Sequence, residues 1–402
     1  MNQVDVVIIG GGVTGLALAA ALGTAAARVL VVEREGLARL TAPAFDGRVT
    51  AIARGSMMLL NGVGVWRHLG ASAQPIRDIE VGERGSPATV AYDHREVGGE
   101  PMGWIVENRE IREALLARIE ELPSVTLAAP ATVRSLDRGP HRVVVELADG
   151  RQWQARLVVA AEGKQSPTRA AAGIGVQRWD YHQVGIVCTL RHDRPHQGKA
   201  VERFFPDGPF AMLPMTGTRS SIVWALREDL AKTVTALDDR AFLGEVAERC
   251  GNELGDLALE GPRWSYPLVL VWADRYTAER LVLVGDAARG IHPIAGQGWN
   301  LALRDVAAVA ELVVDRLRLG LDPGDAIALE RYAVWRRFDS LVLVAVTDGI
   351  NRLFANDLFP LRMARNAGLA AVERLPPVKR FFMRHAMGLV GDLPRLMRGE
   401  SL

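Results

Sequence analysis

The chain has 402 residues, 49% of them hydrophobic and 24% charged, which is the composition of an ordinary folded protein with a large buried core. Its 48 lysines and arginines against 47 aspartates and glutamates leave a net charge of +1, which argues against a polynucleotide partner. Only two cysteines, Cys188 and Cys250, are present, so a disulfide scaffold and a four-thiolate metal site are excluded. We predict no metal site and expect the reducing environment of the cytoplasm.

The first elements predict a βαβ unit. Residues 4–9 form a short, β-branched apolar run that is typical of a strand buried on both faces. A glycine turn follows directly. An Ala- and Leu-rich helix over 16–22 and a second, parallel strand over 29–32 complete the unit.

The rest of the chain alternates β-rich and helical stretches. Further strands are predicted at 79–82, 88–92, 143–147, 153 onward, 157–161 and 281–284. Further helices are predicted at 109–122, near 241–250 and at 298–319. The first two of these strands are predicted to be antiparallel, and the Asp149-Gly150 pair predicts a hairpin turn with positive backbone angles.

The predicted parallel strands are scattered along the chain and separated by β-rich insertions. One discontinuous domain explains this pattern better than two sequential domains. We predict the α/β fold class, with a Rossmann-like dinucleotide-binding domain, an inserted β-rich α+β substrate domain and a helical C-terminal segment. The predicted boundaries are 1–75, 108–175 and 276–345 for the first domain, 76–107 and 176–275 for the second, and 346–402 for the segment.

The first motif, residues 10–15, contains G-x-G-x-x-G between a predicted strand and a predicted helix. Gly10 permits a tight turn, Gly12 lets the backbone approach a pyrophosphate, and Gly15 allows close packing of the helix. The N-terminus of the helix offers free N–H groups to phosphates. Glu33, at the end of the second strand, is placed to accept hydrogen bonds from ribose hydroxyls, and its charge disfavours a 2′-phosphate. The motif therefore predicts FAD or NAD rather than NADP.

The second motif favours FAD over NAD. Asp286 follows the predicted strand at 281–284, and a glycine-rich loop through Gly296 and Gly298 leads into the next helix. A carboxylate can bond a ribityl chain, and loop N–H groups with a helix dipole can face the anionic ring of a reduced flavin. Nicotinamide has no ribityl chain for Asp286 to bind.

Both motifs, together with residues 160–169, resemble in order and spacing the three fingerprints of the class A flavoprotein aromatic hydroxylases, the p-hydroxybenzoate hydroxylase type. Residues 292–305 are similar to the signature of the ubiquinone-biosynthesis hydroxylases within that class, and the late segment from 351–354 through 380–388 also resembles these hydroxylases. The resemblance covers essentially the whole chain.

The resemblance assigns site residues by their positions. Those expected to bind the cofactor are Gly10, Gly12, Val13, Thr14, Gly15, Glu33, Arg34, Arg48, Asn108, Val133, Asp286, Gly296, Gln297, Gly298 and Asn300. Those expected at the reacting end of the flavin, and so predicted to be catalytic, are Pro293, Gly296 and Gly298.

Several residues have an alternative interpretation. Arg48 would lie near the FAD pyrophosphate or be a solvated surface arginine. Asn108 stands where the class has Arg or Gln, and it would touch the flavin or cap the helix that follows. Glu162 stands where the class has Asp, and it would keep a charge at the cofactor or be wholly structural. Trp224 and Trp264 would pack in the core of the inserted domain or contact substrate.

The chemistry that the resemblance implies is aromatic hydroxylation. NAD(P)H, a transient co-substrate, would reduce FAD, and O₂ would form a flavin hydroperoxide that transfers one oxygen atom to a phenol. The implied substrate is a polyprenylated phenol or benzoquinol on the route to ubiquinone. The alternatives are hydroxylation of a soluble phenol, reduction of a polyprenyl group, and a non-catalytic role as an FAD-bearing subunit of a quinone-synthesis complex.

The end of the chain predicts contact with lipid or protein. Residues 351–402 contain nine Lys or Arg and four Asp or Glu, together with several Phe and Met. This composition suits an anionic lipid surface or a partner such as a quinone-biosynthesis complex, and a helical lid packed on the first domain is the alternative. The sequence has no run of 18 apolar residues and no amino-terminal export signal, so we expect a cytoplasmic protein that is peripheral on the inner face of the cytoplasmic membrane.

Overall fold

The computed structural model describes residues 2–42, 47–84, 86, 88–291, 296–354 and 359–402. Its helices are α1 (Val13–Thr24), α2 (Leu37–Leu40), α3 (Arg54–Gly62), α4 (Trp66–Leu69), α5 (Asn108–Glu120), α6 (Pro167–Ala171), α7 (Glu228–Ala236), α8 (Asp239–Cys250), α9 (Gly298–Arg318), α10 (Ala326–Phe354), α11 (Phe359–Arg374) and α12 (Pro376–Ala386). Short 3₁₀ helices lie at Gly70–Ser72, His94–Val97, Gly285–Ala287 and Arg395–Arg398. The strands of the described residues form four sheets.

The parallel sheet contains the buried strands that the sequence predicts. Its strands, in spatial order, are Thr277–Ala278, Leu281–Leu283, Leu157–Ala160, Val6–Ile9, Val29–Val32 and Val125–Ala128. All neighbours are parallel except the first two strands, which form an antiparallel pair. Helices α1, α5 and α9 pack with these strands in one hydrophobic core. Helix α1 is apolar all round and is buried from Gly15 to Gly23, which is typical of a helix with packing partners on every side.

A four-stranded sheet shares this core. Its strands are Asn2–Gln3, Gln152–Ala155, Val143–Leu147 and Val133–Arg138. The predicted hairpin joins two of them in antiparallel order. Of its turn residues, only Gly150 has a positive φ, +86°, so the prediction of a positive angle at Asp149 was wrong. The glycine alone absorbs the left-handed conformation because it has no Cβ.

The second half of the molecule is built around an eight-stranded sheet, called here the large sheet. Its strands, in spatial order, are Arg289–Gly290, Leu257–Ala273, Val176–His192, Arg219–Arg227, Gly208–Met215, Lys199–Phe205, Asp78–Glu83 and Thr89–Asp93. The antiparallel pairing predicted for 79–82 with 88–92 is confirmed. The Asp78–Glu83 strand also pairs in parallel with Lys199–Phe205, which joins the two separate stretches of the predicted substrate domain. Helix α7, which the sequence analysis missed, and the predicted α8 cover one face of this sheet in a second core.

A small sheet connects the two halves. It consists of Val49–Ala53, Gly103–Glu107 and Gln74–Ile76, and it packs on the uncovered face of the large sheet through a small apolar cluster. Its strands come from both sides of the predicted boundaries near 75 and 107, and α10 continues across the predicted boundary at 345. The division at these residues therefore stays a prediction.

The C-terminal segment is helical, as predicted. Helix α11 packs on the outer strand of the large sheet, and α12 packs on the 3₁₀ helix that follows that strand. The chain then returns to the first half, where the backbone N–H of Gly55 donates to the carbonyl oxygen of Met387 at 3.0 Å. Over the described ranges, none of the helices combines the length and the hydropathy needed to cross a membrane.

Candidate active site

Three neighbouring strands of the parallel sheet end side by side, and the segments that follow them are the three predicted fingerprints. A Cβ atom added at Gly10 would lie 2.6 Å from the carbonyl oxygen of Ala161. One added at Gly285 would lie 3.2 Å from Cγ2 of Thr14. Segments that are far apart in sequence therefore meet at the carboxyl edge of the sheet, the edge where open α/β folds bind ligands.

The glycine turn leaves the N-terminus of α1 accessible. Gly10 has a φ of +107°, and a Cβ at Gly15 would overlap the carbonyl oxygen of Gly10, so side chains are excluded at both positions. Around Gly12, no described atom lies within 4 Å of an added Cβ. Val13 and Thr14 begin the helix and are half-buried. An open helix N-terminus with free N–H groups fits a pyrophosphate.

Glu33 stabilises this turn through its carboxylate. Its Oε2 accepts a hydrogen bond from the Gly11 N–H at 2.7 Å, and its Oε1 accepts one from the Glu35 N–H at 2.8 Å. Arg34 next to it is largely exposed. The Glu33 carbonyl oxygen accepts a hydrogen bond from the backbone N–H of Ala131, and Val133 begins a strand two residues later. The carboxylate therefore fixes the shape of the turn and keeps a negative charge beside it.

Asp286 lies in a cleft surrounded by positive charge. Its side chain is exposed, yet the surrounding protein partly desolvates its carboxyl and thereby raises the pKa. The positive charges of Lys164, Arg48 and Arg289 oppose this rise. Arg48 is exposed, and its guanidinium carbon lies 5.0 Å from the centroid of the Tyr266 ring. The site thus combines one carboxyl group, which suits hydroxyl groups, with cations that suit phosphates.

Asn300 ties the second glycine-rich loop to the small sheet. Its Oδ1 accepts a hydrogen bond from the Ala53 N–H at 2.9 Å. Its Nδ2 donates to the carbonyl oxygens of Ala51 at 2.8 Å and Gly296 at 3.3 Å. Because backbone groups take up both amide hydrogens, the side chain holds the loop in position.

This loop also ends in an open helix N-terminus. Gly296 has a φ of +61°, and a Cβ added there would lie 3.0 Å from that of Ala51. Gln297 precedes α9, and Gly298, its first residue, has no described atom within 4 Å of an added Cβ. Two open glycines at helix N-termini, with a carboxyl group between them, fit a flavin dinucleotide. Pro293, predicted at the reacting end, lies outside the described residues.

Asn108 does not cap the helix that follows it. Helix α5 begins at Asn108 itself, and its N-cap residue is Glu107, which makes no side-chain capping bond. The capping alternative was therefore wrong. Instead, the buried side chain of Asn108 accepts a hydrogen bond from the Thr50 hydroxyl at 2.6 Å, because the antiparallel strands of the small sheet bring Thr50 to the start of α5.

Glu162 makes structural contacts. Its Oε2 accepts hydrogen bonds from the Ser166 hydroxyl at 2.6 Å and from the Thr168 N–H at 3.2 Å, so it stabilises the start of α6.

The two tryptophans of the predicted substrate domain, Trp224 and Trp264, differ in burial. Trp224 is fully buried in the core under α7 and α8, which confirms the core interpretation, whereas Trp264 is half-buried on the opposite face of the sheet.

Sequence reasoning missed the group that fixes the Asp286 loop. Asp305 on α9 is fully buried, and its Oδ2 accepts a hydrogen bond from the Gly285 N–H at 3.0 Å. Its Oδ1 accepts from Arg289 Nη2 at 2.7 Å and from Arg336 Nε at 2.8 Å. The sequence does contain a signal for it: the spacing of apolar residues in α9 places Asp305 on the face of the helix that is buried in the protein.

Comparison with known proteins places this site in a family. Residues 3–320 match the FAD binding domain family. The ubiquinone hydroxylase UbiL of Rhodospirillum rubrum is 49% identical over 401 residues, which cover 99% of this chain and 93% of the relative. The 3-demethoxyubiquinol 3-hydroxylase of Escherichia coli is 34% identical over 387 residues, which cover 96% and 98%.

The fold recurs in more distant flavoproteins. The crystal structure of p-nitrophenol 4-monooxygenase PnpA from Pseudomonas putida matches with a TM-score of 0.80 at 20% identity, covering 97% of this chain and 99% of that one. The fold and the cofactor domain define an FAD-dependent monooxygenase of the class A aromatic hydroxylase type, which confirms the predicted fold class and cofactor. Within that class, the chain belongs to the hydroxylases of ubiquinone biosynthesis, as the resemblance implied.

Proposed function

We propose that this enzyme hydroxylates the aromatic ring of a polyprenylated phenol or benzoquinol, with FAD along the carboxyl edge of the parallel sheet and NAD(P)H as a transient co-substrate. The observation that carries the proposal is the position of Asp286, which follows directly on Gly285, where an added Cβ would lie 3.2 Å from Thr14 of α1 and from Ala302 of α9. The relatives named for ubiquinone and ubiquinol support the substrate class. Bound FAD would supply electrons from NAD(P)H and activate O₂.

The two glycine loops would bind different parts of the cofactor. Gly10, Gly12, Val13, Thr14 and Gly15 would hold the pyrophosphate at the N-terminus of α1. Glu33, Arg34 and Val133, at the strand ends beside this turn, would contact the adenosine part. Two observations support this placement: the Glu33 carboxylate is hydrogen-bonded to the turn, and a backbone hydrogen bond joins Glu33 to the segment that precedes Val133.

The other end of the site would hold the flavin ring. Asp286 would bond the ribityl hydroxyls. The backbone at Gly296, Gln297 and Gly298 would face the pyrimidine edge, with Asn300 holding the loop and Pro293 and Asn108 nearby. Arg48, exposed above an aromatic ring, would contact the pyrophosphate or the nicotinamide donor.

The function is tested with the purified full-length enzyme and with cells that lack it. We expect yellow protein with about one FAD per chain, and NAD(P)H oxidation that a phenol with one or two isoprene units stimulates. Mass spectrometry of a deletion strain should show an accumulated prenylated phenol that lacks one hydroxyl group. Flavin-bearing protein without phenol-dependent NAD(P)H oxidation, or a deletion strain with unchanged quinone intermediates, would contradict the proposal.

The carboxyl group of Asp286 should determine FAD affinity. We expect Asp286→Asn to raise the Kd for FAD by roughly 10- to 100-fold, because a hydrogen bond to a charged group contributes about 1.5–3 kcal/mol. Titration of flavin-free protein with FAD, followed by fluorescence, measures the change. Asp193→Asn, on an exposed loop, is the matched control and should leave the Kd unchanged. Equal Kd values for both variants would remove Asp286 from the cofactor site.

Contact with the membrane is the second part of the proposal, and α12 supports it. The inner side of α12 is packed: Met383 and Met387 are buried, and the Lys379 Nζ lies 2.9 Å from a Glu96 oxygen and 3.3 Å from a Glu373 oxygen. These contacts anchor the helix to the large sheet, so α12 presents its remaining side outward.

That outer side combines apolar and basic groups. Leu375, Phe381 and Phe382 are 51%, 55% and 43% exposed, and Arg380 and Arg384 beside them are exposed as well. An apolar strip flanked by cations fits the surface of an anionic bilayer. We propose that α12 rests on such a surface and brings the enzyme to a substrate that partitions into lipid. Association with a quinone-biosynthesis complex is proposed from the resemblance alone.

Flotation with liposomes tests this surface. We expect the wild-type enzyme to float with vesicles that contain phosphatidylglycerol, and Phe381→Ser/Phe382→Ser to remain at the bottom of the gradient. Leu319→Ser/Leu321→Ser, which removes two exposed apolar side chains elsewhere, is the matched control and should float. Equal flotation of all three proteins would contradict the proposal.

A further inference from the structure

A row of side chains crosses the large sheet on the face opposite α7 and α8. Its members pair across neighbouring strands in the order Val90, Val81, Glu202, Ala211, Val223, Val187 and Trp264. Side chains alternate along a strand, and Val201 and Met212 lie in the core under the helices, so this row faces the other way. Glu202 is the one charged residue in the row.

The row borders the apolar layer beneath the proposed flavin ring. Ala200, two residues before Glu202 and about 7 Å away along the strand, packs with Leu213 and Ala51. Ala51 in turn lies against the loop at Gly296, because a Cβ added there would be 3.0 Å from the Ala51 Cβ. Glu202 is therefore one side-chain position away from the layer that supports this loop.

The far end of the row reaches the other part of the cofactor site. Trp264 lies against Gly47, where an added Cβ would overlap its indole ring. Arg48 follows Gly47 and lies over Tyr266, which is on the same face of the sheet as Trp264. The row thus meets a cofactor loop at its Trp264 end, whereas α11 packs on the strand at its Val90 end.

The side chains of this row differ in burial from the closed core on the opposite face. Val81, Val223, Trp264 and Glu202 itself are half-buried, whereas Val90, Val187 and Ala211 are buried. Within the part of the chain that the structure describes, no hydrogen bond or ion pair is made by the Glu202 carboxyl. Its apolar surroundings raise the pKa of Glu202 to about 7.

Other ionisable groups on this face are paired or neutral. Glu83 pairs with Arg365 of α11, and Glu107 of the small sheet lies 3.2 Å from Arg219. Burial raises the pKa of Tyr92 to about 12, so it is neutral at physiological pH. An unpaired carboxyl group in apolar surroundings destabilises the fold. Groups of this kind in a cleft are candidates for a functional role.

We propose that Glu202 accepts the proton of the substrate's phenolic hydroxyl, an assignment that rests on the proposed function. The phenol O–H bond breaks, an O–H bond forms on the carboxylate, and the electron pair stays on the phenolate oxygen, so no electrons are exchanged. The phenolate makes the ring more electron-rich, which favours attack by an electrophilic oxygen. Val81 and Ala211 on either side would hold the ring and limit access of water.

Glu202→Gln in the FAD-loaded, full-length enzyme is the test, with a phenol that bears one isoprene unit as the probe. We expect kcat for the hydroxylated product to fall about 100-fold or more, since proton transfer to a placed base typically contributes 10²- to 10⁴-fold. In the wild-type enzyme, kcat should rise as pH increases through about 7, where the carboxylate forms, and Glu202→Gln should lack this step. Glu202→Asp should keep the step at a reduced rate.

Glu253→Gln, an exposed glutamate, is the matched control and should keep both the rate and the pH step. An unchanged rate and pH profile in Glu202→Gln would overturn the assignment while the proposed function stands. Bound FAD without product from the wild-type enzyme would overturn both, and the two failures are distinguished by the wild-type result alone.

Thermal unfolding supplies a second readout that does not depend on turnover. Because the folded-state pKa of Glu202 is raised, the folded enzyme binds more protons than the unfolded chain between about pH 4.5 and 7, and its stability falls over that window. We expect Glu202→Gln to unfold at the same temperature as the wild type near pH 4.5, and at a higher temperature at pH 8. A pH-independent difference would contradict the apolar, unpaired environment on which the assignment depends.

Discussion

Gly15→Ala is expected to yield nearly colourless protein. The added Cβ would overlap the carbonyl oxygen of Gly10, so α1 must move away from the turn that precedes it. This movement displaces the helix N–H groups from the place where they would meet the pyrophosphate. The Kd for FAD should rise at least tenfold, which corresponds to about 1.4 kcal/mol of lost binding. Absorbance near 450 nm relative to protein, measured after free FAD has been removed, should fall to roughly one-tenth of the wild-type value or less as the cofactor dissociates.

Two further glycines serve as controls for this result. Gly36→Ala should remain yellow, because an added Cβ there meets no described atom within 4 Å. At Gly12 an added Cβ also meets no described atom within 4 Å, so Gly12→Ala should fold normally and lose FAD only through the contact that its methyl group would make with the cofactor. A yellow Gly15→Ala protein would contradict the proposed position of the pyrophosphate.

Asp305→Asn should produce the second large effect, a loss of stability. Its carboxylate is the counter-charge of Arg289 and lies between that side chain and Arg336, and all three side chains are almost completely buried. Removal of one partner from a buried ion pair typically costs about 3–5 kcal/mol, because the remaining charge is left uncompensated. Urea denaturation of the FAD-loaded enzyme measures the change in the free energy of unfolding.

Asp229→Asn is the matched control for Asp305. Asp229 pairs with Arg227 at 3.4 Å, but both side chains are mostly exposed, so its loss should change the free energy of unfolding by less than about 1 kcal/mol. If Asp305→Asn proves no more harmful than this control, the buried network does not hold the two helices and the Gly285 loop together.

The cofactor turn could be predicted from the sequence because its conformation is encoded locally. Gly10 and Gly15 are required by the turn and the helix that directly adjoin them, and the strands on either side are contiguous apolar runs. The fold class followed for the same reason, since each buried strand is recognisable by itself. The parallel pairing of Lys199–Phe205 with Asp78–Glu83 had no local signal, because more than one hundred residues separate the two strands.

The contacts of single polar side chains were the least predictable part of the site. Asn108 is bound by Thr50, and this partner is determined by the pairing of two distant strands rather than by the helix that Asn108 begins. Glu202 lies in an alternating strand, where sequence alone cannot decide which face is covered by helices. Only the packing of α7 and α8 on one face shows that the glutamate belongs to the other.

The longest strands of the large sheet also have a mechanical consequence. Val176–His192 and Leu257–Ala273 form an antiparallel ribbon, and near its end Val271 and Trp272 pair with Gly290 and Arg289. The whole sheet is hydrogen-bonded without a break from Lys199–Phe205, which carries Glu202, to Arg289–Gly290, which follows Asp286 by a few residues. The backbone of the proposed base and the backbone beside the proposed sugar-alcohol site therefore belong to one mechanically continuous framework.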